Sequence, residues 1–310
     1  MKFRILLTGK NGQVGRELQN LLPRLGEVAA FGRQQLDLAK PEQIRKVVRE
    51  VQPDLIVNAA AYTAVDQAEK EEAAALVANA EAPRVLAEEA KRINAVLVHY
   101  STDYVFDGSK RVPYDEGDPP IPVNVYGRTK LAGERAIQEV GVPHLIFRTE
   151  WVYAQQGRNF LLTILRLATQ HEELRIVSDQ VGAPTSSREI ARATVQILAR
   201  TFGCDAGYVS WPGASGTYHM TAAGEASWYD FATAILEESR RADRVAQWLV
   251  AITSDRPLIT QRVIAIRSDE YPTPARRPAY SVLSNVRLAQ TFGIQLPNWR
   301  TQLRSLFAVT

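Results

Sequence analysis

The sequence predicts an α/β fold with a doubly wound parallel sheet and a smaller, loop-rich C-terminal lobe. Three observations predict it. Short β-branched runs alternate with helical runs up to about residue 150, a glycine-rich turn follows the first run, and prolines interrupt shorter elements after residue 150. A chain of 310 residues is long enough for about two domains. We therefore predict domains at residues 1–150 and 151–310, with some later segments returning to the first domain.

The alternation gives the elements of the first domain in order. Strands are predicted at 3–8, 28–31, 35–38, 55–58, 95–101 and 145–149, the third being very short. Helices are predicted at 12–22, 42–51, 68–93 and 126–139. Pro83 lacks the N–H that a helix interior requires, so we expect the third helix to break or restart there.

Composition excludes several classes of protein. The net charge of +3 comes without a dense run of Lys and Arg, which argues against nucleic-acid binding. No stretch of about 18 apolar residues is present, so we predict no membrane span. Cys204 is the single cysteine, so an intramolecular disulfide is impossible, and a cytoplasmic location is predicted.

A glycine-rich loop joins the first predicted strand to the first helix. Gly9, Gly12 and Gly15 follow a Gly-x-x-Gly-x-x-Gly spacing, with Gln13 and Val14 at the start of the helix. Glycines there let the backbone approach a pyrophosphate, which the helix N-terminus attracts. The loop predicts a dinucleotide-binding Rossmann domain, and the alternative is a glycine turn without a ligand.

The end of the second strand indicates the cofactor. Gly32 stands where an acidic residue would bind the ribose 2′-hydroxyl of NAD, and Arg33 follows it. A guanidinium suits a 2′-phosphate, so NADPH is predicted over NADH, although Arg33 could instead be a solvated surface residue. Asp37 and Leu38 are predicted to cover the adenine. After the fourth strand, Ala60 and Ala61 are small enough to let a flat cofactor approach the backbone, and Tyr62 follows them.

Three polar residues form a predicted catalytic group. Tyr126 and Lys130 lie four residues apart in a predicted helix, which places them on one face. A nearby ammonium would lower the pKa of the phenol. Thr102, at the end of a strand, could donate to the substrate oxygen that Tyr126 protonates. The spacing is common by chance, so the prediction rests on all three together.

Other polar residues have simpler interpretations. His99 is expected to be a packed core histidine, and the acidic residues of the segment after the fourth strand are expected to form a solvated helix face: Asp66, Glu69, Glu71 and Glu72. His171 and His219 show no metal-ligand spacing.

Seven segments resemble the dTDP-4-dehydrorhamnose reductases, a branch of the extended short-chain dehydrogenase/reductase family. They are GQVG at 12–15, NAAAYTAVD at 58–66, STDYVFDG at 101–108, VYGRTKLAGE at 125–134, FRTEWVY at 147–153, DQVGAPT at 179–185 and PTPARRP at 272–278. The resemblance runs almost from end to end. It implies that NADPH delivers hydride to C4 of a 4-keto sugar nucleotide.

The resemblance also assigns roles. Tyr126 is the implied proton donor, Lys130 lowers its pKa and holds the nicotinamide ribose, and Thr102 polarises the ketone. Asp103 and Trp151 match positions that contact the sugar. Arg276 and Arg277 lie in a segment that we place, from charge, near the diphosphate or the lobe interface.

Two features depart from the family pattern. The stretches at 204–216 and 240–269 are longer than is typical, which bears on lobe geometry and on the implied homodimer. The family is associated with magnesium at a dimer contact. Glu17 and Glu189 match two acidic positions, but a third is missing near the C-terminus, so we expect no bound metal.

Two other functions are compatible with the same scaffold. One is a sugar-nucleotide epimerase or dehydratase that recycles a tightly held NAD, against which Gly32 and Arg33 argue. The other is a non-catalytic regulatory subunit of the type that methionine adenosyltransferase uses. Net consumption of NADPH distinguishes the reductase from both.

Overall fold

The computed structural model describes residues 3–202, 211–241 and 247–308, and Cys204 lies outside these ranges. Its strands are β1 (Arg4–Thr8), β2 (Glu27–Phe31), β3 (Leu55–Asn58), β4 (Val96–Thr102), β5 (His144–Thr149), β6 (Val152–Tyr153), β7 (Glu173–Val177), β8 (Val181–Gly182), β9 (Thr185–Ser186), β10 (Gly216–His219), β11 (Ala226–Ser227) and β12 (Arg262–Ile266). Six of these form one sheet in the order β10-β5-β4-β3-β1-β2. All pairs in this sheet are parallel, which confirms the predicted fold class.

The helices of the described residues are α1 (Gln13–Leu21), α2 (Pro41–Val51), α3 (Val65–Ala68), α4 (Glu72–Leu76), α5 (Ala82–Arg92), α6 (Val125–Val140), α7 (Phe160–Ala168), α8 (Ser187–Phe202), α9 (Trp211–Ala214), α10 (Trp228–Arg241), α11 (Gln247–Thr253), α12 (Val286–Phe292) and α13 (Trp299–Phe307). Alternating strand residues bury their side chains on opposite faces of the sheet. Ile5 and Leu7 join a core with α1 and α8, whereas Leu6 joins a core with α2 and α5. Both faces are covered, as a parallel sheet requires.

One prediction about these elements was wrong. Residues 35–38 form no strand, because the N–H groups of Gln35 and Leu36 both donate to the carbonyl of Gly32 in a turn. The helix predicted at 68–93 is divided. A π-helical segment, Val77–Glu81, follows α4, and α5 begins at Ala82, which is the expected restart, with Pro83 in its first turn, where a missing N–H is tolerated.

The second half of the chain contributes to both parts of the molecule. Strand β10 completes the sheet beside β5, and α8 packs against α1. The other segments bury a separate core around Phe231 and Trp299, with the parallel pair β7–β12 at its side. The division near residue 150 stays a prediction. None of the helices in the described ranges has the length and apolar character needed to span a bilayer.

Candidate active site

The glycine loop is a close-packed cradle at the end of β1. Gly9 has a φ of +71°, and a Cβ there would lie 2.7 Å from the carbonyl carbon of Ala59. A Cβ at Gly15 would lie 2.0 Å from the carbonyl oxygen of Gly9. Gly12 is the N-cap of α1, and no side chain caps the first N–H groups of this helix. Unshielded backbone donors at a helix N-terminus fit a phosphate.

A cavity of about 660 Å³ opens above this loop, within the range of cofactor sites. Eight of the predicted cofactor residues line it: Gly9, Gly12, Arg33, Asp37, Leu38, Ala60, Ala61 and Tyr62. Four others are not among its lining residues: Gln13, Val14, Tyr126 and Lys130. Gln13 instead accepts a hydrogen bond from Asn159 at 2.8 Å, which ties α1 to the N-terminus of α7.

The cationic side chain of Arg33 lines the cavity. The Arg33 side chain is 89% exposed, and its Nε lies 4.0 Å from Oδ1 of Asp37, so it is only loosely paired. A Cβ at Gly32 would lie 2.7 Å from Nδ2 of Asn11. Glycine at this position therefore lets the Asn11 amide approach the end of β2. Asn11 also lines the cavity, and the sequence analysis did not identify it.

Tyr126 is positioned by the start of α6. Asn124 caps the helix, accepting from the Gly127 N–H at 2.8 Å. A Cβ at Gly127 would lie 2.1 Å from the carbonyl oxygen of Tyr104, so glycine permits this approach. The Tyr104 and Tyr126 rings meet edge to face at 5.7 Å. Tyr62 packs against the same hydrophobic cluster as Tyr126 and also lines the cavity.

The Tyr126 phenol is buried beside Thr102. Burial raises the pKa of Tyr126, the Asp103 carboxylate raises it further, and a hydrogen bond with the Thr102 side chain opposes them. The pKa of Tyr126 is thus raised, whereas the sequence predicted that Lys130 would lower it. The reason lies in the position of the lysine, whose Nζ donates to the carbonyl of Tyr100 at 2.6 Å. Burial lowers the pKa of Lys130 to about 8.

Two buried carboxyl groups lie next to this phenol. Burial raises the pKa of Asp103 to about 6, and its Oδ2 has no hydrogen-bond partner among the described residues. Glu150 is also buried, and burial together with the Asp103 charge raises its pKa well above the ordinary value. The Ser281 hydroxyl donates to Glu150 at 3.5 Å, and its proximity also lowers the pKa of Asp103 in part. Nothing in the local sequence marks Glu150, a glutamate that follows a strand, as buried.

The predicted sugar contact Trp151 lies at the junction with the second lobe. Its φ is +45°, and its ring stacks on Trp228 at 3.4 Å with an interplanar angle of 4°. A Cβ at Gly182 would lie 2.7 Å from the Trp151 ring, so only glycine fits beneath it.

The two arginines near residue 276 differ in environment. Arg276 is exposed, and its carbonyl accepts from Asn124 at 2.8 Å. Arg277 donates to both carboxylate oxygens of Asp66, at 3.1 and 2.8 Å. Arg277 therefore joins its segment to Asp66 in the first half of the chain, which agrees with a place at the lobe interface rather than near the diphosphate.

The expected solvated helix face is mostly engaged. Besides Asp66, Glu71 accepts from the Tyr62 hydroxyl at 2.6 Å, and Glu69 accepts from the Val125 N–H at 2.9 Å. Glu69 and Glu71 are nevertheless exposed, as expected of a solvated face, whereas Asp66 is only partly exposed and its pairing with Arg277 was not expected. Glu72 is 62% exposed and lies 3.7 Å from Arg128, as expected of a surface residue.

Glu17 and Glu189 are the acidic positions that the resemblance implies for magnesium. Within residues 3–202, 211–241 and 247–308, no group of three or more His, Cys, Asp or Glu side chains is arranged to hold an ion. Glu189 is paired with Arg192 at 2.6 Å.

Comparisons with known proteins agree with this geometry. A family model described as the RmlD substrate binding domain matches residues 2–310. A dTDP-4-dehydrorhamnose reductase of Burkholderia thailandensis is 52% identical, covering 96% of each chain. The enzyme of the same name from Escherichia coli K12 is 43% identical, covering 99% of each chain.

A solved structure agrees as well. The dTDP-4-dehydrorhamnose reductase of Bacillus anthracis in complex with NADP is 34% identical and covers 100% of both chains, with a TM-score of 0.86. These names agree with the reductase expectation rather than with an epimerase, a dehydratase or a non-catalytic subunit. The chain therefore belongs to the RmlD family of dTDP-4-dehydrorhamnose reductases.

Proposed function

We propose that this protein uses NADPH to reduce the C4 ketone of dTDP-4-dehydro-L-rhamnose to the alcohol of dTDP-L-rhamnose. The observation that carries the proposal is that Thr102 and Tyr126 are both buried and interact through their side chains, while Tyr62 of the same hydrophobic cluster as Tyr126 lines the cavity of the glycine loop. The relatives' names and the NADP complex of the Bacillus anthracis enzyme support the substrate and the cofactor.

NADPH would supply the hydride, with its pyrophosphate on Gly9 and Gly12 and its 2′-phosphate near Arg33. Tyr126 keeps its proton at neutral pH, because burial disfavours the phenolate. The alkoxide of a reduced ketone is a stronger base than a phenolate, so Tyr126 can donate that proton to the oxygen of the reduced ketone. Thr102 provides a second hydroxyl on the same oxygen, and two donors make a carbonyl more electrophilic.

The remaining substrate contacts are proposals for the sugar nucleotide. Asp103 has a buried oxygen without a partner in the described part of the chain, so a sugar hydroxyl could donate to it. Trp151 offers one edge of a stacked indole pair to the sugar, and exposed Arg276 could reach a phosphate. We further propose a cytoplasmic enzyme, which the single cysteine favours, and a homodimer, which light scattering would test.

The direct experiment follows the absorbance of NADPH in the presence of dTDP-4-dehydro-L-rhamnose. We expect stoichiometric oxidation of NADPH with this sugar and none without it. Parallel assays with other 4-keto nucleotide sugars measure the substrate range. Binding of NADPH without its consumption on any of these ketones would contradict a reductase and favour a non-catalytic protein.

A further inference from the structure

A chain of four buried polar side chains runs across the sheet below the site. Thr8 on β1 is paired in register with Asn58 on β3, which is paired with His99 on β4. Their side chains therefore point to the same face. Thr8 lies 2.6 Å from Asn58, Asn58 lies 3.0 Å from His99, and His99 lies 3.1 Å from Lys130. Each of the four is 1% exposed or less.

One backbone group sets the direction of the chain. The Ala60 N–H donates to Oδ1 of Asn58 at 3.3 Å, so that atom must be the amide oxygen. The amide nitrogen of Asn58 then faces Nδ1 of His99 and donates to it. A nitrogen that accepts carries no proton. The neutral imidazole of His99 therefore has its proton on Nε2.

The protonated Nε2 faces the catalytic lysine. An N–H directed at another nitrogen requires a lone pair there, which an amine has and an ammonium lacks. Lys130 can accept from His99 and still donate to the carbonyl of Tyr100. A hydrogen bond to the neutral form of a base disfavours its charged form. This adds to the burial that already lowers the pKa of Lys130.

The other groups around Lys130 are compatible with an uncharged amine, which can donate to a carbonyl as an ammonium does. From its own helix, Glu134 raises the pKa of Lys130, but this carboxylate is bound by both arms of Arg148 from β5, at 3.0 and 2.7 Å. From β4, Tyr100 faces the lysine with its carbonyl, while its phenol bonds Thr194 at 2.8 Å. Tyr126 lies one turn before Lys130 on the same helix and keeps its own proton.

We propose that His99 is a positioning residue: held in its Nε2–H tautomer by Asn58, it donates to Lys130 and selects the uncharged amine. Protonation of Lys130 then requires the amine to leave His99. The importance of this for turnover rests on the proposed reductase function. The tautomer itself depends on neither substrate nor NADPH.

Nitrogen-15 NMR of imidazole-labelled protein without ligands tests the proposal. In the wild type we expect the His99 signals of a neutral ring with a protonated Nε2 and a bare Nδ1. A proton on Nδ1, or a charged ring at neutral pH, would overturn it. Because no reaction is measured, this result can fail while the NADPH assay succeeds, and the reverse.

Two variants test whether Asn58 sets the tautomer of His99. Asn58→Asp keeps an oxygen for Ala60 but places a second oxygen against His99, so the proton should move to Nδ1 and the Lys130 titration should shift upward by about one pH unit. Thr8→Val is the matched control, since Ala60 still orients Asn58, and we expect the wild-type tautomer. An unchanged tautomer in Asn58→Asp would show that Asn58 does not set it, contrary to the proposal.

Discussion

Burial determines what individual residues of the site can do. Tyr126 and Thr102 are both nearly inaccessible, and the phenol stays protonated because its charged form would lose hydration. An exposed tyrosine also keeps its proton at neutral pH, so it is the buried position beside Thr102 that distinguishes Tyr126 as a proton donor. The contrast between buried Tyr126 and the exposed Tyr271 makes the role of the first testable.

Tyr126→Phe removes the proposed proton donor while keeping the ring that packs on Tyr104. General acid catalysis is worth roughly 10² to 10⁴ in rate, so we expect turnover to fall by about that range with NADPH binding nearly unchanged. Steady-state kinetics and a fluorescence titration with NADPH measure the two quantities. Tyr271→Phe is the control and should keep wild-type turnover; wild-type turnover in Tyr126→Phe would remove this residue from the mechanism.

Arg33→Ala tests the choice of cofactor. The guanidinium is exposed and only loosely paired, so it is free to bind a 2′-phosphate. We expect Kd for NADPH to rise about tenfold, corresponding to about 1.4 kcal/mol, with little change for NADH. Arg24→Ala, on an exposed surface away from the cavity, should change neither. Equal losses for both cofactors would show that Arg33 makes no contact with the extra phosphate.

Short sequence spacings were sufficient to predict part of the site. The loop glycines and the Tyr126–Lys130 pair are separated by only a few residues, and the structure brings Tyr126 to Thr102. Contacts between distant segments gave no such signal. Asp66 looked solvated because its partner, Arg277, is 211 positions away.

At the scale of elements, close helix packing explains how the site is built. Asn79, in the π-helical segment, accepts from the Tyr62 N–H at 2.8 Å and donates to the Tyr62 carbonyl at 3.0 Å and to Thr129 at 3.1 Å. It thereby fixes a cavity residue to α6. The approach of α6 depends on Gly133, where a Cβ would lie 2.0 Å from the Asn79 carbonyl oxygen.

Gly133→Ala should therefore destabilise the protein, although alanine is the better helix former. The propensity gain is about 1 kcal/mol, whereas forcing a backbone carbonyl away from a packed helix costs about 1 to 3 kcal/mol and also breaks the Asn79 contacts. Urea denaturation measures the change in the free energy of unfolding. Arg135→Ala, exposed on the same helix, should lie within about 0.5 kcal/mol of wild type. A Gly133→Ala protein as stable as wild type would contradict the packing argument.

Element types were predictable where the burial pattern was regular. The strands β3 and β4 are wholly buried, and each begins with a run of three apolar residues. The strand at 35–38 was wrong because it was predicted from local propensity, whereas a turn on Gly32 sets the conformation. The restart at Pro83 was predictable because a helix tolerates proline in its first turn, but no local signal marked the π-helical segment before it.

In different parts of the molecule, titrating groups change the free energy of unfolding with pH in opposite directions. Arg277 lowers the pKa of Asp66, and Arg49 lowers that of Glu89, so both carboxylates stabilise the fold above their unfolded pKa values. Asp103 acts in the other direction. Its pKa is raised from 3.8 to about 6, so its contribution is fully present below pH 4 and is lost as the pH rises toward 6.

Asp103→Asn isolates this effect, because every other titrating group is shared with wild type. The variant keeps a neutral side chain at all pH values. A shift of about 2 pH units corresponds to about 3 kcal/mol, so between pH 4 and 7 the free energy of unfolding of wild type should fall relative to the variant by about that amount. Losing the Asp103 charge also eases ionisation of Glu150, which acts in the same direction. Urea denaturation of both proteins across this range measures the difference in the free energy of unfolding. A difference that does not change with pH would show that burial does not raise the pKa of Asp103.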